Sequence, residues 1–346
     1  MINVYVGMSG GVDSSLTAAL LVEQGYNVTG VYMKNWTQDL PGMKCPWADD
    51  LADAKRVAVQ LGIDFKVFDF ETEYRHKVVD YMIEEYRLGR TPNPDIMCNQ
   101  EVKFKLFLEA ALEDGADMIA TGHYARVENG ILKQAVDTNK DQTYFLYRVT
   151  GEALEKTLFP LGEFTKPVVR EMAKERGLYT AGKKDSQGIC FVGKIGIREF
   201  LSQYVEQTSG EIIDKITRKV LGHHDGAIFY TLGQRHGLDV GGGLPYYVVG
   251  KDMDKNEVYV TTNLNDETLW RDTVGLQNLH WINETPEEGV YTIRIRHRAP
   301  LTKATLFHTE AGGAKLTLHD QQRAVTAGQS VVIYKDDICL GGGIVD

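Results

Sequence analysis

The chain has 346 residues, more than one small core organises, and this calls for two or three domains. Its apolar share of 43% and charged share of 25% are those of a soluble globular protein, and no run of eighteen apolar residues could cross a bilayer. A net charge of −10 argues against a surface that is basic throughout, so a nucleic-acid partner would have to be met by a local cluster of Lys and Arg.

Residues 1–7 lack the basic start and long apolar stretch of a signal peptide and read as a buried first strand, leading into a helix over 13–24 that stops at Gly25. A second strand over 28–33, a helix over 49–61 ended by Gly62, and a third strand over 64–70 follow. Helical periodicity over 71–88 is broken by Gly89 and by Thr91-Pro92-Asn93-Pro94, then resumes over 102–112 before a buried strand at 117–121. Strands alternating with helices predict an α/β domain with a doubly wound parallel sheet covered on both faces. A further helix over 165–176 is capped by Thr165 and ended by Gly177. Beyond about residue 200 the texture becomes short β-rich runs between Gly, Asn and Asp turns: 257–262, 291–296, 304–308, 315–319 and 330–334. These predict a small β-rich central domain and a C-terminal β-barrel, with domains at 1–200, 201–270 and 271–346. Four cysteines without any Cys-x-x-Cys predict a reducing, cytoplasmic setting in which thiols serve chemistry or packing.

Between the first strand and first helix stands Gly7-Met8-Ser9-Gly10-Gly11-Val12-Asp13-Ser14-Ser15. Adjacent glycines let the backbone turn its N–H groups toward an anion, and the helix N-terminus adds positive potential. The loop lacks the Gly-Lys-Ser/Thr of a Walker A motif and the Gly-x-Gly-x-x-Gly of a dinucleotide site. With no lysine in the loop to support γ-phosphate chemistry, cleavage between the α- and β-phosphates of ATP is the natural reaction, with Asp13 set to hold Mg²⁺ or a reacting oxygen. The string resembles the PP-loop of the ATP pyrophosphatases, which adenylate an oxygen and release pyrophosphate.

Two cysteines stand in distinctive contexts. Asn93-Pro94-Asp95-Ile96-Met97-Cys98-Asn99 puts Asp95 and Cys98 on one face of a helical turn, where a carboxylate can move a proton beside a thiol. Asp185-Ser186-Gln187-Gly188-Ile189-Cys190-Phe191 sets the second thiol beside a glycine. Together with the PP-loop, these segments closely resemble the bacterial tRNA-specific 2-thiouridylase family. The resemblance implies that Cys190 carries a persulfide and that Cys98 is the partner nucleophile able to form a disulfide with it. Asp95 would be the general acid/base, with Asn93, Pro94, Asp95, Ile96 and Met97 beside the target base. It further implies an adenosine site formed by Gly7 to Ser14, Met33 and Gly122. Sulfur would come from a cysteine desulfurase or a relay protein, and the substrates would be tRNAs for Lys, Glu and Gln with a uridine at the wobble position. Whether the persulfide attacks directly or Cys98 first frees hydrosulfide stays open. Cys45 and Cys339 lack partners at metal-ligand spacing, and the adjacent His223 and His224 face opposite ways on a strand.

The resemblance also assigns tRNA contacts to His123, to the segment Lys140-Asp141-Gln142, and to Gln329. The densest basic cluster is Arg294, Arg296, His297, Arg298 and Lys303, and alternation on a strand would align the three arginines as a phosphate-binding ridge. The alternative is a charged edge strand kept from aggregating. The segment 233–237 reads as a structural or an RNA-facing loop. Two other functional classes compete: an amide- or amine-forming PP-loop ligase, which needs neither cysteine, and a nucleotide-gated RNA-binding protein, which releases no pyrophosphate.

Overall fold

In the computed structural model, which describes residues 1–39, 45–184, 196–241 and 243–346, the N-terminal sheet is built around β1 (Asn3–Gly7). Val4 and Val6 pack into one core and Tyr5 into another on the opposite face, so the strand is covered on both sides. On one side of β1 lie β2 (Asn27–Lys34) and then β3 (Asp64–Asp69), both parallel to it. On the other side lies β4 (Met118–Thr121); the chain then leaves the sheet for a hairpin, β5 (Arg126–Glu128) and β6 (Ile131–Lys133), and returns as the short β7 (Thr157–Leu158). The winding direction reverses between β1 and β4, whose last residues Gly7 and Thr121 lie side by side. The crevice beyond these two strand ends is where an open α/β sheet presents a ligand.

The helix expected over 102–112 begins eight residues earlier. It runs as Pro94–Met97, a π-helical stretch Cys98–Leu106, and Phe107–Glu113. Asn93 starts it, its side chain accepting the Asp95 N–H at 3.1 Å, and Pro94 occupies the first helical position, where a missing N–H costs nothing. The helix over 71–87 likewise contains a π-helical stretch, Arg75–Asp80.

Four strands make the central sheet: β8 (Gly210–Asp214), β9 (Val220–His224), β10 (Tyr247–Asp252) and β11 (Glu257–Thr261), in the order β10-β11-β8-β9. His224 is buried and His223 exposed, as strand alternation requires. Segment 233–237 is pinned by its backbone to Val248 and by Tyr230, with Arg235 and His236 exposed. Six antiparallel strands close the C-terminal barrel: β12 (Trp270–Trp281), β13 (Gly289–Arg294), β14 (Thr302–His308), β15 (Ala314–Arg323), β16 (Ser330–Lys335) and β17 (Ile338–Val345). The ring runs β12-β15-β14-β13-β16-β17 and returns to β12, which removes both sheet edges.

The barrel is joined to the N-terminal domain through the hairpin, whose β6 pairs with β17. Beside this seam the Arg294 guanidinium meets the Asp141 carboxylate at 3.0 Å, with both side chains almost fully enclosed. Among the described residues, no helix is long and apolar enough to cross a membrane.

Candidate functional site

The glycine loop closes on itself at the carboxyl end of β1. The Ser9 N–H donates to Ser14 Oγ at 3.2 Å, while the Ser14 and Ser15 hydroxyls donate to the Gly11 carbonyl. Met8 and Val12 are buried, and Gly10 adopts φ +72° against the backbone of Asp50. Ser9 is exposed, so the turn faces outward at the start of the helix Val12–Glu23. Met33, near the end of β2, lies across Gly7, its terminal methyl 2.9 Å from where a side chain on Gly7 would begin. Gly122 follows β4 and touches the loop: a methyl group there would lie 2.8 Å from the Ser14 nitrogen. Gly7 to Ser14, Met33 and Gly122 are thus brought together at the crevice between β1 and β4.

Asp13 holds a second set of contacts. Its two carboxylate oxygens accept from Lys166 Nζ at 2.7 and 2.8 Å, and Oδ1 also accepts from the Tyr124 hydroxyl at 2.9 Å. The loop itself has no lysine, yet the fold supplies one from 153 residues away. The sequence carries a sign of it, because Lys166 is the first residue of the helix Lys166–Glu175, where the macrodipole disfavours a cation. Thr165 precedes this helix without capping it; the Lys166 N–H is taken by the buried Asp137 carboxylate instead, at 2.9 Å.

Cys98 is 1% exposed, one turn beyond the half-buried Asp95 on the helix that Asn93 and Pro94 begin. Ile96 is buried and Met97 partly so. Asn99 donates to the Phe145 carbonyl at 3.0 Å, tying this helix to the segment that follows Lys140–Gln142. Cys190 and its motif lie outside the described residues.

Several expected RNA contacts are relocated. Asp141 is buried, and its carboxylate takes the Ala135 N–H, the Thr143 hydroxyl and Arg294. It anchors a turn and offers RNA no charge. His123 is also buried, its ring against Phe104 and Phe159 and its Nδ1 2.8 Å from the Thr121 hydroxyl. Burial holds its pKa well below the usual value. The ridge of three arginines does not form either. β13 ends at Arg294, which turns inward to Asp141, and the chain leaves the strand so that only Arg296 and Arg298 are exposed. Arg298 has φ +62°, which belongs to a turn and not to a strand.

His297 packs its ring on Phe145, centroids 4.4 Å apart, between the two exposed arginines. Burial first, then Arg298 and Arg294, lower its pKa to about 4, and it stays neutral. Gln329 adjoins Ser330, which accepts from Tyr144 at 2.9 Å and contacts the Tyr147 hydroxyl at 3.0 Å. The same barrel loop accepts the Thr91 N–H at Ala327, just before the Cys98 helix. Gln142 directly precedes the short helix Thr143–Leu146, His297 packs on its Phe145, Ser330 beside Gln329 accepts from its Tyr144, and Asn99 donates to its Phe145 carbonyl.

Three family models divide the chain. Residues 2–194 match a tRNA methyl transferase HUP domain, residues 198–262 a tRNA methyl transferase PRC-barrel domain, and residues 271–345 an aminomethyltransferase beta-barrel domain. A tRNA-specific 2-thiouridylase MnmA of Listeria monocytogenes is 49% identical over 352 residues, covering 100% of this chain and 95% of that protein. The Bacillus subtilis MnmA is 47% identical over 351 residues, covering 99% of this chain and 94% of that protein. The chain belongs to the tRNA-specific 2-thiouridylase family.

For a thiouridylase, Arg296 and Arg298 are exposed cations on either side of His297, whose ring packs on Phe145, the residue whose carbonyl accepts from Asn99 of the Cys98 helix. Changing both to Gln is expected to weaken tRNA binding and to reduce the salt dependence by about one unit of slope for each phosphate that is no longer neutralised. Binding titrations at several salt concentrations measure this. Unaltered affinity and slope would return the turn to a merely solvated role.

Proposed function

We propose that this chain adenylates the 2-oxygen of a wobble uridine in tRNA with ATP, releases pyrophosphate, and then replaces AMP with sulfur delivered as a persulfide. The observation that carries the reading is family membership over the whole chain together with a PP-loop whose carboxylate is gripped by a distant lysine. The loop N–H groups and the start of the helix Val12–Glu23 would receive the phosphates, and Lys166 would stabilise charge on the departing pyrophosphate. Mg²⁺ bound with ATP would neutralise phosphate charge, and the partly exposed Asp13 is the loop carboxylate able to meet it. Asp95 would exchange the proton at the base, and the outer persulfide sulfur of Cys190 would pass to the base as AMP leaves. Cys98 would supply the two electrons by closing a Cys98–Cys190 disulfide, which a thiol reductant of the cytoplasm reopens for the next turnover.

The uridine must leave its stack to enter the site, which costs a few kcal/mol. Arg296, Arg298 and the Thr143–Leu146 region would hold the RNA while this happens. The substrates would be the Lys, Glu and Gln tRNAs, with a desulfurase or relay protein as the sulfur source. A methyl-transfer reading, suggested by the domain descriptions, leaves the PP-loop and both cysteine motifs without a task. The test is to incubate the purified chain with ATP, unmodified tRNA and a persulfide-loaded donor, then digest the tRNA and analyse its nucleosides by mass spectrometry. The expected product is 2-thiouridine at the wobble position with equimolar AMP and pyrophosphate. Methylated nucleosides, or unmodified uridine throughout, would refute the reading.

A further inference from the structure

We infer that Tyr124 is a positioning residue for Asp13, held in place by the same turn that carries the candidate tRNA-facing side chains. The inference rests on the proposed adenylation and concerns how the ATP site is set. The Tyr124 ring is 3% exposed, packed in a core shared by the helices Val12–Glu23 and Lys166–Glu175. Its hydroxyl fixes Asp13 Oδ1 at 2.9 Å, and Lys166 Nζ, which binds both Asp13 oxygens, lies 5.7 Å from the ring centre. Phenol and ammonium together constrain the carboxylate in the first turn of the PP-loop helix.

One residue holds the tyrosine backbone from both sides. The Tyr124 N–H donates to Gln142 Oε1 at 2.9 Å, and the Gln142 N–H donates to the Tyr124 carbonyl at 2.9 Å. Gln142 sits between the Arg294-anchored Asp141 and the buried Thr143. The Asp141 N–H closes the turn on the Asp137 carbonyl, and the Asp137 carboxylate takes the backbone N–H of Lys166. Both groups that grip Asp13 are therefore held by the turn 137–143. RNA seated on Lys140 and Gln142 would bear on the turn that fixes Tyr124 and Lys166 jointly. A displacement there would reach the reacting phosphates, where misplacement by about 1 Å can lower a rate a hundredfold.

The experiment measures pyrophosphate release with saturating tRNA for wild type, Tyr124→Phe, Gln142→Ala and Gln142→Glu. Tyr124→Phe keeps the buried ring and loses only the hydroxyl. It is expected to lower kcat roughly tenfold to a hundredfold, the range for a hydrogen bond to a charged group, with the KM for ATP and the Kd for tRNA changed less than about twofold. Gln142→Ala should lower kcat in the same way, whereas Gln142→Glu, which keeps an acceptor for the Tyr124 N–H, should retain more kcat than Gln142→Ala at saturating tRNA while its Kd for tRNA rises, as expected for a carboxylate on the RNA-facing turn. If Tyr124→Phe fails to fold, the Gln142 pair carries the test. Wild-type kcat in Tyr124→Phe, or a loss confined to the KM for ATP, overturns the inference while leaving the proposed function intact. A wild type that releases no pyrophosphate with tRNA overturns both.

Discussion

Cys98→Ser and Cys190→Ser are each expected to eliminate multiple-turnover formation of 2-thiouridine while leaving tRNA-dependent pyrophosphate release near its wild-type rate. The two half-reactions would use separate groups. Asp13 and its partners Lys166 and Tyr124 lie at the PP-loop, whereas Cys98 lies on the Asn93-capped helix, held to Phe145 through Asn99. Serine is nearly isosteric with cysteine, so the packing around the 1%-exposed Cys98 should survive. Cys190→Ser should also abolish the protein-bound persulfide, detectable by mass spectrometry of the intact protein, whereas Cys98→Ser should still load it. Mild oxidation of the wild type should join the two thiols, which requires Cα atoms within about 7 Å of each other. Normal thiouridine formation by Cys190→Ser would refute the sulfur-transfer assignment, because Cys45 and Cys339 are buried thiols whose pKa values burial raises.

Lys166→Met should be as severe on the other half-reaction. Methionine fills a similar volume but removes the cation paired with Asp13, so pyrophosphate release should fall by about 10²–10³-fold, as for other preorganised charge-stabilising donors. Asp13→Ala should reach a similar floor, by removing the loop carboxylate that the ammonium grips. Because the two act on each other, the double variant should be little worse than either single one, which is the signature of a shared unit. Thermal melts establish that both variants fold. Pyrophosphate release by Lys166→Met at the wild-type rate would remove the lysine from the chemistry.

The parts of this molecule legible in the sequence are those with local causes. The apolar run at Asn3–Gly7, the glycine string after it and the Asn-Pro start of the Cys98 helix each state their geometry within a few residues. Lys166 and Tyr124 cannot be joined to Asp13 that way, since their side chains meet it only through packing across 153 and 111 residues of sequence. Strand alternation carried past residue 294 misplaces the arginines, because β13 ends there, the chain turns and Arg298 takes a positive φ. The β5–β6 hairpin does carry a signal, Asn129-Gly130 with both φ values positive, but its three-residue strands are too short to show a period. His123 and Asp141 have polar side chains, and only the fold reveals that both are enclosed.

The pairing of β6 with β17 has a consequence for synthesis on the ribosome. Residue 133 finds its strand partner at residue 338, and Asp141 meets Arg294 only after another 153 residues have been made. The first domain can assemble its parallel sheet early, but its buried carboxylate stays hydrated until Arg294 has emerged and its hairpin edge stays open until Ile338 has followed. Nascent chains halted before the barrel is complete should thus display an unpaired edge, the kind of surface that chaperones bind and neighbouring chains extend.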